Sequence, residues 1–143
     1  MKKGIDYPGI TVVFFCHDGM GKYLFNKRSV QCRDEYGCWD PGGGGVDFGE
    51  RVEDVLRREI KEEYCADILD FEELGFFDVH RKLDDQETHW IALLFRVRVD
   101  PKQVRNGEPH KFDEIAWFHL DAIPKPWHSQ LSPVLQKFRS VLR

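Results

Sequence analysis

No run of apolar residues in this chain is long enough to cross a bilayer, and no apolar stretch follows the opening Met1-Lys2-Lys3-Gly4. These absences argue against a membrane span or a secretory signal, so the expected compartment is the cytoplasm. Cysteine is scarce: Cys16, Cys32, Cys38 and Cys65 are irregularly spaced, with no C-x-x-C pair and no histidine pair nearby. Such spacing does not read as a zinc site, and reduced thiols are expected in preference to a Cys32–Cys38 bridge. An excess of positive charge is also missing. Lys and Arg number 21 against 25 Asp and Glu, a formal net charge of −4. That leaves no diffuse basic surface for stable nucleic-acid binding, although a small nucleotide needs only a local pocket. No internal repeat or low-complexity tract divides the chain.

What is present suits one globular domain. The 143 residues, 41% hydrophobic and 32% charged, can bury a core but leave no room for a second domain. Ile10 to Phe15 is short, β-branched and aromatic, hence a buried strand. The turn His17-Asp18-Gly19-Met20-Gly21 leads to a second strand, Lys22 to Asn26, as a hairpin, and Lys27 to Cys38 reads as polar loop. Further on, Asp70 to His80 alternates loosely and Trp90 to Val99 is a stronger strand. Pro101 to Pro109 is a long loop, after which Ile115 to Leu120 closes the sheet. A final helix is expected with Ser132 as N-cap and Pro133 at its first position. Its stripe of Leu131, Val134, Leu135, Phe138, Val141 and Leu142 reads as a packing face. Strands interleaved with two helices predict an α/β sandwich on a mixed sheet.

The segment Gly44 to Ala66 contains a conflict. Along a helix at about 100° per residue, Val52, Val55, Leu56 and Ile60 form one apolar arc. Glu59 and Glu63 fall inside that arc and Glu62 at its edge, while Asp54, Arg57 and Lys61 lie opposite. A solvated helix laced with pairs such as Glu53–Arg57 and Arg58–Glu62 is the ordinary account of so much charge. Acids on a core-facing stripe instead call for a cation. The preceding run Gly42 to Gly45 lies between Trp39 and the extended Val46-Asp47-Phe48. Glycine permits close approach of backbone to an anion, which suits a diphosphate beside the acids, with Gly43 and Gly44 as the binding positions.

These residues resemble a known family. Gly44, five residues, Glu50, seven residues, then Arg58-Glu59-Ile60-Lys61-Glu62-Glu63 is similar to the Nudix box of the Nudix (MutT-type) hydrolases, a likeness that extends from about Gly9 to Pro124. Cys65 stands where the family has glycine, Ala66 where it has a larger aliphatic residue, and Pro41 is displaced by one from the glycine pair. The resemblance implies an α/β/α sandwich with a mixed β-sheet and a pyrophosphohydrolase dependent on Mg²⁺, with Mn²⁺ the alternative. It points to Glu59, Glu62 and Glu63 as metal ligands, Arg58 as the orienting residue and Glu50 as a brace for the loop.

A diphosphate repels a water nucleophile, so a catalyst must neutralise its oxygens and supply a base. Family members differ in which glutamate is the base. Glu59 and Glu62 in the box are candidates, and Glu108 is preferred over Asp113 and Glu114 in the later loop. Arg28 and Arg81 are candidate phosphate contacts, and Trp39, Phe48, Trp90 and Trp117 candidate base-stacking aromatics. The proline typical of ADP-ribose hydrolases of the family and the tyrosine typical of dinucleoside polyphosphate hydrolases are both absent from Asp67 to Asp100. The expected substrate is therefore a nucleoside triphosphate or modified nucleotide. Nucleoside-diphosphate-linked metabolites such as NDP-sugars or ADP-ribose come second, and a non-catalytic nucleotide-sensing module or an isomerase of allylic diphosphates lies beyond them. Oligomeric state stays open, a homodimer included.

Overall fold

The computed structural model describes residues 1–142. In chain order the elements are β1 (Gly9–His17), β2 (Tyr23–Arg28), β3 (Trp39–Asp40), β4 (Gly43–Gly45), α1 (Val52–Tyr64), β5 (Asp70–Leu83), β6 (Gln86–Arg98), β7 (Phe112–Phe118) and α2 (Leu131–Leu142). A 3₁₀ turn, Leu120–Ala122, follows β7.

The seven strands form one mixed sheet centred on β1. β1 runs parallel to β6 from Gly9 opposite Trp90 to His17 opposite Arg98, and all other pairings are antiparallel. The β1–β2 hairpin is present but paired only at His17 and Tyr23. Beyond that point β2 joins β3 and β7, and β4 occupies the flank of β1 at Thr11–Val13. The glycine run is thereby built into the sheet beside its central strand.

Alternation along β1 divides the core into two layers. Val12, Phe14 and Cys16 pack with Val55, Leu56, Ile60 and Tyr64 of α1. Phe15, with Tyr23 and Phe25 of β2, packs against Leu131, Val134, Leu135 and Phe138 of α2. One helix therefore covers each face, the expected α/β/α sandwich. Each such large side chain contributes about 1.5–3 kcal/mol by leaving water.

Several boundaries depart from the sequence reading. β5 and β6 are longer than expected and meet in a two-residue turn, Asp84-Asp85, with φ of 49° and 64°, the left-handed pair that matches strand twist. β7 starts at Phe112, earlier than expected, and Arg28 ends β2 instead of lying in a loop. α2 starts at Leu131, so Ser132 is inside its first turn and is not the N-cap. His128 serves the helix start instead. Its Nδ1 accepts from Gln130 N–H at 3.2 Å and its carbonyl from Leu131 N–H at 2.9 Å. Pro133 is tolerated because first-turn N–H groups have no helical partner to lose. All four cysteines are free. Among the described residues no helix is long and apolar enough to cross a membrane.

Candidate active site

The chain enters α1 through a tight turn. Glu50 N–H donates to Asp47 O at 3.0 Å, and Glu50 Oε1 accepts from Asp47 N–H at 2.9 Å. Arg51, the N-cap, contributes no side-chain cap, so this reciprocal pair of bonds anchors the entry. Glu50 Oε2 then binds Arg58 Nη1. Arg58 also reaches Glu59 Oε1 at 3.3 Å and Glu62 Oε1 at 3.9 Å. The direct partner of Arg58 is thus Glu50, and its i,i+4 contact to Glu62 is the longest of the three. The Glu53–Arg57 pair also exists, at 2.9 Å on the exposed side.

The helical arc places the three acids as its periodicity requires. Glu63 is buried, Glu59 half-buried and Glu62 exposed. Against Glu59 lies Gly44, where an added Cβ would sit 2.3 Å from the Glu59 Cδ. A Cβ at Gly42 would meet Phe14 at 2.6 Å and Glu63 Oε1 at 3.0 Å. The glycines therefore make room for the carboxylates as an extended strand. Among the described residues the carboxylates of Glu59, Glu62 and Glu63 do not close into one cluster. Glu59 and Glu63 are brought to the glycine strand, and Glu62 stands outward beside Arg58.

Burial holds the Glu63 carboxyl well above the usual carboxylate range, helped by the negative charges of Glu59 and Asp40 and opposed by Lys111 and the backbone N–H of Gly43. Its Oε1 is buried with no hydrogen-bond partner among the described residues. Glu59 is also raised, first by desolvation, with Arg58 pulling it back and Glu62 pushing it up.

The loop before β7 closes on the end of α1. Arg105 N–H donates to Tyr64 O at 3.0 Å and Gly107 N–H to Glu63 O at 2.9 Å. At Gly107 a Cβ would stand 2.1 Å from the Glu62 carbonyl oxygen, so only glycine permits this approach. The next residue, Glu108, is half-buried and lies 3.3 Å from His110 Nε2. Asp113 and Glu114 are exposed on β7. The same loop carries a cation, Lys111, whose charge weakly lowers the carboxyl pKa of both Glu59 and Glu63; its place three residues after Glu108 was the available signal in the sequence.

Arg28 and Arg81 converge on each other's partners. Arg28 binds Asp34 Oδ1 at 3.1 Å and lies 3.8 Å from Asp40. Arg81 binds Asp34 Oδ2 and, at 2.7 Å, Glu35. Both guanidinium groups are therefore engaged by carboxylates of the loop after β2. Of the candidate stacking aromatics, Trp39 is buried, Trp90 and Trp117 are half-buried, and Phe48 is fully exposed at the entry to α1.

The chain is similar to known proteins in both sequence and fold. The NUDIX domain family matches residues 7–138. The chain belongs to the Nudix family. It is 33% identical over 104 residues to the nucleoside triphosphatase NudI of Escherichia coli O139:H28, covering 68% of this chain and 72% of that protein. Its fold is similar to the crystal structure of a MutT NUDIX hydrolase from Burkholderia pseudomallei, with a TM-score of 0.80 and 27% identity over 92% of this chain and 98% of that one. The NUDIX domain of Shewanella oneidensis NrtR, crystallised with ADP-ribose, shares the fold at a TM-score of 0.73 and 18% identity, covering all of this chain and 91% of its own. This chain is a Nudix hydrolase, an enzyme acting on phosphorus-containing anhydrides.

Proposed function

We propose that this Nudix hydrolase is a cytoplasmic, metal-dependent pyrophosphohydrolase that converts a nucleoside triphosphate or modified nucleotide to the monophosphate and pyrophosphate, the whole chain acting as one domain. The observation that carries the reading is Glu63, buried on the core stripe of α1 with Oε1 unpartnered. A buried carboxylate in that condition is costly unless a cation meets it. The donor set of Glu59, Glu62 and Glu63 is all oxygen, which fits a hard divalent ion, Mg²⁺ or Mn²⁺. When bound, such an ion neutralises phosphate oxygens and lowers the pKa of an attacking water.

The chain's own residues supply the rest. Arg58, anchored by Glu50, holds Glu59 and Glu62 in orientation. Gly43 and Gly44 give the diphosphate a floor with no side chains in the way. Glu108, presented by the loop docked on α1, accepts the proton of the attacking water, with Glu62 and Glu59 as the alternative bases within the box. Lys111 offsets negative charge at the acids and at the substrate. Arg28 and Arg81 can assist only by sharing a phosphate with Asp34 and Glu35, so their contribution is the smallest of the set. Exposed Phe48 offers a free ring face to a nucleobase.

The supporting experiment follows nucleotides and sugar nucleotides with Mg²⁺ or Mn²⁺ and separates the products. Nucleoside monophosphate plus pyrophosphate is expected from a triphosphate. Turnover confined to ADP-ribose or NDP-sugars would replace this substrate class with the second one.

A further inference from the structure

The β5–β6 hairpin carries a second set of ligand-type side chains, unrelated to the box. Asp78 and His80 are two residues apart on β5, and His89 is directly opposite His80 on β6. Strand alternation therefore puts all three on one face. Asp78 Oδ1 lies 3.2 Å from His89 Nε2, and the His80 and His89 rings stack with centroids 4.1 Å apart and planes 24° apart. One ligand atom from each residue lies within 4.8 Å of the other two. In a tetrahedral site with bonds of about 2.0 Å, neighbouring ligand atoms are about 3.3 Å apart. Asp78 and His89 already have that spacing; His80 completes the set when its ring turns out of the stack with His89, so that both imidazoles aim an in-plane nitrogen at the ion.

We propose that Asp78, His80 and His89 bind a borderline divalent transition metal of the Zn²⁺ class, with water completing the coordination. Two imidazoles and one carboxylate suit such an ion, whereas the all-oxygen box suits Mg²⁺. Access exists from solvent. His80 and His89 line a cleft of about 510 Å³ beside Gly4–Pro8. Asp6 and Glu87 in that cleft offset the positive charge of Arg81 and Lys82. The backbone of His89 is fixed where its main-chain N–H donates to Gly4 O at 2.8 Å, and its ring is aimed by Asp78. One metal-binding side chain is thus positioned before any ion arrives. The ion would tie the edge strand β5 to β6 close to their turn.

The test is Zn²⁺ titration of the full chain by calorimetry, with millimolar Mg²⁺ present to occupy the box, alongside histidine NMR and thermal melting. The expected result is one saturable equivalent that shifts the His80 and His89 imidazole signals and raises Tm. His80→Gln and His89→Gln should each weaken it by about tenfold or more, while Glu62→Gln leaves it unchanged. The proposal is overturned if no saturation occurs up to about 100 µM Zn²⁺, a limit well above micromolar affinity. It is equally overturned if both histidine variants bind as wild type does, which would assign the ion to the box or to thiols. Circular dichroism of the variants separates lost binding from lost fold.

Discussion

At the scale of single residues, Glu63 ties stability to pH and, in the proposed reaction, to the metal. Burial and the charge of Glu59 raise its carboxyl pKa in the folded state, so the folded protein keeps that proton to higher pH than the unfolded chain does. The stability involved is fully present below the unfolded carboxylate pKa and is lost as pH rises through the raised folded value. Glu59, also raised, acts with the same sign. The metal-free protein should therefore lose Tm as pH is raised above the ordinary carboxylate range, and Glu63→Gln should flatten that slope while greatly reducing turnover. Melts in chelator with identical slopes for both proteins would reject the buried-charge account. Glu108, the base of the proposed reaction, is expected to act on rate alone. Glu108→Gln should lower kcat at least about tenfold, a cautious share of what a positioned base contributes, with Tm and metal affinity little changed. Asp113→Asn and Glu114→Gln, at exposed positions, should be milder. A crippled Asp113 or Glu114 variant beside a normal Glu108 one would move the base from the loop onto β7. Phe48→Ala should raise KM by about fivefold or more, as stacking on a base contributes about 1–3 kcal/mol, and leave kcat near wild type.

At the scale of elements, the join between α1 and the loop before β7 is the most exacting feature. Cys65 caps α1 in the left-handed conformation, with φ of 60°, the backbone state that glycine adopts without cost. The glycine expected there from the family is thus a conformational requirement that cysteine meets under strain. Gly107 admits no such substitute. Gly107→Ala would drive Cβ into the Glu62 carbonyl, so it should cost about 2 kcal/mol or more of stability and lower kcat by displacing Glu108. Urea unfolding and steady-state kinetics on one preparation check both effects; wild-type values in both would refute the docking. Elements defined by periodicity were legible in the sequence, α1 above all, because acids inside an apolar arc are visible from spacing alone. Those defined by distant partners were not. β4 is hidden because glycine has little strand preference and its partner, Thr11–Val13, lies far earlier. The hairpin turn is hidden because Asp84-Asp85 carries no glycine. The start of α2 depends on His128 in the preceding loop, and Arg28 and Arg81 meet through Asp34 only after folding.

At the scale of the whole molecule, the sheet brings together parts far apart in sequence. Parallel pairing of β1 with β6 fixes the central strands, β4 lies along β1 next to α1, and the loop before β7 closes over the end of that helix. The fold class and the box acids could be expected from sequence because a long, fixed-spacing pattern encodes them. The nearness of Lys111 to these acids could not, since its charge reaches them through space from a loop distant in sequence. The measurement that tests the account most directly is the products of nucleoside triphosphate turnover, resolved by chromatography with and without chelator. Nucleoside monophosphate and pyrophosphate are expected, abolished by exhaustive chelation and restored by Mg²⁺. Orthophosphate released with the diphosphate left behind, or an unchanged rate after chelation, would contradict the account.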